Sequence, residues 1–330
     1  MEIRNAAMYV LNLENGTYVF PEEELDVTLE AVQVYLEQRT MKMLGDQSKQ
    51  QAQFRKDSGI PPLLAQLTDG SLSFLAAAKL LADKIWEGYQ DMEDPLNMDV
   101  LLYLFTDGEG EEEQVYLAVV QLAHKAVLTH VIKDDGKAVA LGKFSYALPN
   151  VSQPVYGYAY MPLAGGTAYL KAKAVKINGE SVEVLKEDVL GVETDLSPKQ
   201  VITAVNRCID KVASQFQKNN AEACAVFKQS LLQCAEENSP LQLEETVSQI
   251  FTGTAAGELQ TALETASVAK EVVLQPEFAQ KSGDTMSIKT DNGIKLTFPT
   301  SYFDHEVRVK EQRPGEFSIT ISGITEMTCK

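Results

Sequence analysis

Basic residues are scarce in this chain. Lys and Arg total 29 against 47 Asp and Glu, a net charge of −18 over 330 residues. A surface this acidic repels phosphate at long range and keeps a protein dispersed, so non-specific DNA binding by the intact surface is disfavoured. Histidine is scarcer still: His124, His130 and His305 are the only three. None lies in an H-E-x-x-H pair, and no G-x-S-x-G, G-x-x-x-x-G-K-[ST] or G-x-G-x-x-G occurs where its mechanism needs it. The four cysteines, Cys208, Cys224, Cys234 and Cys329, form no C-x-x-C and have no histidine at ligand spacing, so no structural zinc site is expected. The first three fall in helical patterns and read as reduced core thiols. Long apolar runs are missing too: none approaches the roughly 18–20 residues of a membrane helix. Met1-Glu-Ile-Arg-Asn lacks a basic region followed by an apolar one, so a cytoplasmic protein is expected rather than a secreted or membrane one.

What is present is a patterned chain, 45% hydrophobic, long enough for one large domain or two moderate ones. Ile3–Leu13 alternates as a strand and returns after Asn15-Gly16 as Thr17–Phe20. A helix is expected from about Asp26 as N-cap, with Leu25, Leu29, Val32 and Leu36 on one stripe. Gln47–Gln53 is polar and reads as helical or loose. Gly59-Ile-Pro-Pro62 punctuates the chain, and Ser71 is placed to cap a helix carrying Leu72, Leu75, Ala78, Ala82, Ile85 and Trp86. The period then changes from 3.6 to 2. Val100–Phe105, Val115–Leu122 and Val127–Ile132 read as consecutive strands of an antiparallel meander, with His124 in a turn. Further strands are expected at Lys137–Tyr146, Val155–Met161 and Thr167–Val175, with a hairpin turn at Asn178-Gly179. The acidic run Asp107–Glu113 lacks the calcium-loop pattern and reads as a solvated turn. Ala164-Gly-Gly-Thr167 reads as a hairpin turn, since no helix N-terminus follows to hold an anion.

Near residue 194 the pattern changes again. Ser197 with Pro198 is a helix start, and Val201, Val205, Ile209, Val212 and Phe216 make one apolar stripe. Lys218-Asn-Asn220 closes that helix, and the next runs through Ala223, Phe227 and Leu231. Ser239-Pro240 repeats the cap before Leu243, Val247, Ile250 and Phe251. Residues 286–322 return to strands. The expected class is α+β: a sheet-rich unit over 1–193 with an antiparallel meander, then, over 194–330, a helical segment closed by C-terminal β-hairpins.

The charge is uneven. Residues 286–330 hold six basic and six acidic residues, so the whole excess of acid lies before them. Two strands, Ile288–Thr290 and Ile294–Phe298, flank Asp291-Asn-Gly293, whose Asn and Gly tolerate positive φ. Lys289 and Lys295 point away from the face of Ile288, Leu296 and Phe298. Arg308 and Lys310 alternate with Val307 and Val309, and Arg313 precedes the Pro314-Gly315 turn. If these hairpins pair, several of the cations share one face and contact phosphate. The plainer reading of the same residues is solvated edge charge, which discourages aggregation.

The stretch Lys289-Thr-Asp-Asn-Gly-Ile-Lys-Leu-Thr-Phe-Pro299, with Phe317-Ser-Ile-Thr-Ile-Ser-Gly-Ile324 after it, resembles the bacterial 37-kDa nucleoid-associated protein family. Leu196-Ser-Pro-Lys-Gln200, Thr129-His130 and Phe54-Arg-Lys-Asp-Ser58 add to the resemblance, which follows the order of elements along nearly the whole chain. It implies a cytoplasmic protein at the bacterial chromosome, touching DNA or its processing proteins, and supplies no catalytic residue or cofactor to carry over. The expectation is therefore a non-enzymatic nucleoid-associated protein without cofactor or metal, a homo-oligomer being compatible with it. The alternative is an acidic adaptor, mimicking DNA charge, that docks on a basic DNA-processing enzyme.

Overall fold

The computed structural model describes residues 1–108, 110, 113–132, 139–216, 219–313 and 316–326. The chain divides into two units, Met1–Thr194 and Asp195–Lys330. The first runs β1 (Glu2–Asn12), β2 (Thr17–Val19), α1 (Glu30–Gly45), β3 (Gln50–Phe54), α2 (Ile60–Thr68), α3 (Phe74–Tyr89), β4 (Met98–Asp107), β5 (Gln114–Ala123), β6 (Lys125–Ile132), β7 (Val139–Ala147), β8 (Gly157–Pro162), β9 (Ala168–Lys171), β10 (Val175–Ile177), β11 (Glu180–Val182), a π-helical turn (Leu185–Leu190) and β12 (Val192–Thr194).

Eight of these strands build one antiparallel sheet in the order β12-β3-β9-β8-β5-β4-β1-β2. Its central strands are buried on both faces, which is why β4 reads Val-Leu-Leu-Tyr-Leu-Phe without alternation. Val100 and Leu102 join Tyr9, Leu81 and Ile85 in one core, while Leu101, Tyr103 and Phe105 join Leu36 and Met43 of α1 in the other. Pro61 and Pro62 sit in the first turn of α2, where a missing N–H leaves no bond unmade.

Several expectations change here. The meander stops after β5: its next neighbour in the sheet is β8, and β6 pairs with β7 in a separate two-stranded ribbon. Alternation identifies a strand but not its partner. Gln47–Gln53 is not a helix; Gln50–Phe54 is the strand β3, held by backbone ladders to β9 and β12. Asp26 does not cap α1, because its carboxylate closes a local turn by accepting from Thr28 N at 2.9 Å, and the helix begins at Glu30. The cap of α3 is Ser73, whose hydroxyl accepts from Ala76 N, rather than Ser71. The strand expected over Thr167–Val175 is broken into β9 and β10. Asn178 and Gly179 do turn the β10–β11 hairpin with φ of 52° and 83°. Gly165 and Gly166 likewise take positive φ between β8 and β9. The Asp107–Glu113 run, the start of the Lys137–Tyr146 strand, Lys218, Pro314-Gly315 and Cys329 lie wholly or partly outside the described residues.

The second unit runs α4 (Pro198–Gln215), α5 (Asn220–Glu237), β13 (Leu241–Gln242), α6 (Leu243–Ile250), α7 (Thr254–Thr265), β14 (Glu271–Val272), α8 (Pro276–Gly283), β15 (Thr285–Lys289), β16 (Lys295–Pro299), a 3-10 turn (Thr300–Tyr302), β17 (Val307–Arg313) and β18 (Glu316–Ile321). α4 opens on a full capping box: the Ser197 hydroxyl accepts from Gln200 N, and the Gln200 side chain accepts from Ser197 N at 2.8 Å. Its stripe of Val201, Val205, Ile209 and Val212 is buried against Phe227, Leu231 and Leu259. Ser239-Pro240 does not start a helix. Leu241 and Gln242 pair with Val272 and Glu271 instead, and α6 begins at Leu243. α5 has two working faces, because Ala225 on its other side packs under the C-terminal hairpins.

Candidate nucleic-acid interface

The five cations singled out by the sequence lie on two ribbons. In the β15–β16 ribbon Ile288 is opposite Leu296 and Met286 opposite Phe298. These four face α5 and join Ala225, Phe303 and Val307 in a small core. Side chains alternate along a strand, so the intervening pairs face outward. Lys289 is directly opposite Lys295, and Ser287 is opposite Thr297 with their hydroxyls 3.3 Å apart. The turn is closed by Gly293 N donating to Thr290 O at 3.1 Å, with Gly293 at φ 88°. Only the glycine of Asn292-Gly293 uses positive φ, as in a turn followed by a glycine bulge.

The β17–β18 ribbon repeats the arrangement. Val307, opposite Ile321, and the pair Val309 and Ile319 lie on its inner face, where Val307, Val309 and Ile319 pack into the same small core and Ile321 stays exposed. Arg308 opposite Thr320 and Lys310 opposite Ser318 are exposed on the outer one. A bulge between Glu311 and Arg313 turns Gln312 so that it donates to Ser318 Oγ at 2.8 Å. Arg313 stands at the tip, 4.0 Å from the Glu316 carboxylate and well exposed, an ion pair of little energetic weight.

The two ribbons do not pair with each other; each is its own two-stranded sheet. The condition set by the sequence for one continuous cationic sheet face is therefore not met. The structure instead makes two cation pairs, Lys289 with Lys295 and Arg308 with Lys310, each on the outer face of a ribbon whose inner face packs in the core under α5. The 3-10 turn between them is tied down by Thr300, whose hydroxyl donates to Gly283 O and whose N–H donates to Asp284 O.

Other chemistry escaped the sequence reading. His124 is not in an exposed turn: its Nε2 lies 2.9 Å from the Asp99 carboxylate, with both side chains almost fully buried. Burial pushes the Asp99 carboxyl above its usual range, and the hydrogen bond and charge of His124 oppose that shift. Asp46 receives Lys171 Nζ at 2.8 Å, the Tyr158 hydroxyl at 3.1 Å and Ser48 N at 2.8 Å. Burial raises its carboxyl, but these donors outweigh it and hold it below the usual range. Arg39 is 2% exposed and is received by backbone carbonyls, among them Pro149 O at 2.6 Å, Asn150 O at 2.8 Å and Gln153 O at 2.8 Å. No spacing rule signals these three, because each joins residues far apart in the chain. Cys208 and Cys234 are buried free thiols, and burial pushes the Cys224 thiol up to about 11. His130 is exposed on β6, and His305 is exposed beside Asp304, which takes φ 63°.

Among the described residues no group of three or more His, Cys, Asp or Glu is arranged to hold a metal ion, and no helix is long and apolar enough to cross a membrane. A groove beside α6 and α7, lined by Leu243, Val247, Leu263 and Val268, has about 30 Å³ of room, enough for a water molecule. No family model matches the chain, and no curated protein matches it.

Proposed function

We propose that this chain is a non-enzymatic, nucleoid-associated protein whose second unit touches the DNA backbone through the outer faces of β15–β16 and β17–β18. The observation that carries the proposal is Lys289 directly opposite Lys295. Like charges in that register weaken a strand pair, and a phosphate between them turns the repulsion into two attractions. On the neighbouring ribbon Arg308 and Lys310 lie two residues apart on the outer face of one strand, opposite Thr320 and Ser318, whose hydroxyls offer hydrogen bonds of the kind that position a protein on DNA without reading its sequence. Binding through so few contacts, by a protein of net charge −18, is weak, and its salt slope is shallow because the slope scales with the number of phosphates neutralised.

The test is duplex binding followed by anisotropy across a salt series. Changing Arg308 and Lys310 together to Ala removes about two phosphate contacts and lowers the salt slope by nearly two. An unchanged affinity and slope in the double variant reduces the patch to solvated edge charge.

A second reading is favoured by the first unit, where 29 acidic residues stand against 16 basic ones over residues 1–194. In that reading the acidic unit docks on a basic DNA-processing protein, and association with the chromosome is indirect. Absence of duplex binding at low salt, with capture of partners that survives nuclease, selects it over direct contact.

A further inference from the structure

The β6–β7 ribbon stands outside the eight-stranded sheet and leaves large apolar side chains uncovered on both of its faces. Register places Val127, Val131 and Phe144 on one face and Leu128 and Leu141 on the other. They are 45%, 41%, 57%, 69% and 78% exposed. An isolated two-stranded hairpin is marginal in water, and one that is apolar on both sides lacks even one covered face. Its root, in contrast, is firmly held. The chain leaving β7 passes through residues 149–153, whose carbonyls receive the buried Arg39 of α1. Among the described residues the ribbon is thus a blade anchored at one end, with these five apolar side chains exposed.

We infer that this blade is an association arm and that its partner is a second copy of the same chain. Two arguments commit it to that partner. The first is charge. From Lys125 to Ala147 the sequence carries four lysines and two aspartates, so the arm is basic within a protein of net charge −18. The described strands carry Lys125, Lys143 and His130 and no carboxylate. A basic, apolar arm is complementary to the acidic body of another copy, which offsets the repulsion between two such molecules.

The second is area. An eight-residue strand is about 26 Å long and a two-stranded ribbon about 10 Å wide, so each face presents about 250 Å². One arm sheathed on both faces buries about 1,000 Å² counting both partners, at the floor for a specific interface, whereas two arms exchanged about a two-fold axis bury about 2,000 Å². Only the reciprocal arrangement reaches the size of a stable complex. This inference is independent of the DNA reading.

The experiment is sedimentation equilibrium on the full chain. At about 100 µM, far above the dissociation constants usual for an interface of this size, the expected mass is twice the 36.3 kDa of one chain. Leu128→Glu with Leu141→Glu should halve that mass while leaving the thermal melting of the monomer intact, since both side chains are exposed. Lys143→Glu, which keeps the apolar face, should weaken the dimer at least tenfold at low salt and less at high salt. A wild-type chain that stays monomeric overturns the inference, as does a dimer that survives both variants. If the Leu128/Leu141 variant fails to fold, circular dichroism shows it and Lys143→Glu decides alone. A monomer that holds an unrelated protein through the arm also overturns it.

Discussion

Replacing Arg39 with Met tests the anchoring of the β6–β7 arm most directly. The guanidinium is buried, and what answers its charge is a set of carbonyl oxygens, the Tyr35 hydroxyl, which accepts from it at 3.3 Å, and the Tyr35 ring 5.2 Å away. Once it is removed, its carbonyl acceptors fare differently. Pro149 O keeps the Tyr35 hydroxyl at 3.0 Å, and Asn150 O keeps the Gln153 N–H at 2.8 Å. Val151 O and Gln153 O lose the donor that reached them. A stranded carbonyl costs about 1–3 kcal/mol, so two of them set a ceiling of about 6 kcal/mol. Partial access to water lowers that figure, and so does relief from burying a charge, leaving an expected loss of about 2–4 kcal/mol. Arg39→Lys should not rescue it, since one ammonium cannot span carbonyls that a planar fork reaches together. Trp86, the only tryptophan, lies in the first unit stacked on Tyr18 at 5.4 Å, so its fluorescence during urea unfolding reports this unit alone. Limited proteolysis should show new cleavage near residues 148–153. A loss below about 0.5 kcal/mol, within the range of ordinary surface changes, together with an unchanged cleavage pattern would refute the anchoring role.

Three further predictions use the same logic. Ile209→Ala in α4, at a fully buried position, should cost about 2–4 kcal/mol by chemical denaturation of the second unit, and a value near zero would mean that the site collapses around the smaller side chain. Ser197→Ala should cost about 1 kcal/mol by removing the acceptor for Gln200 N, whereas Ser197→Gly should cost only a few tenths. The Asp46 carboxyl, held low by Lys171, Ser48 and Tyr158 against its burial, stabilises the fold above the unfolded carboxylate value near pH 4. That stability is lost as pH falls through its depressed folded value. The gap between wild type and Asp46→Asn in urea midpoints should therefore close as pH is lowered, and parallel curves would count against it.

α4 was fully legible in the sequence, because Ser197, Pro198, Gln200 and the apolar stripe are local signals that all agree. The outward direction of Lys289 and Lys295 was legible for a similar reason: a two-residue period fixes a face. What failed depended on distant partners. Gln50-Gln-Ala-Gln53 has no apolar alternation, and β3 is a strand only because β9 and β12 hold its backbone on either side. Val127–Ile132 had the right period but the wrong neighbour, since alternation carries no information about which edge a strand joins. His124 looked like a turn residue because Asp99, which pairs with it in the interior, is on β4, across the hairpin from the strand that His124 follows. Asp26 shows the opposite error: a good capping side chain was used for its own turn, four residues ahead of the helix.

The position of β3 also governs the order in which the first unit is finished during synthesis. Ala52 pairs with Ala168 on one side and with Thr194 on the other. β4 and β5 close as a hairpin soon after they are made, but β3 emerges far earlier and keeps both backbone edges open for most of the unit's length. Pairings that span such separations form late, because the loop must be closed before any contact is gained. A nascent or truncated chain ending before Val192 therefore presents an unpaired, glutamine-rich edge at which a neighbouring chain can add a strand. Val192–Thr194 seals that edge with three residues, immediately before Asp195 opens the second unit.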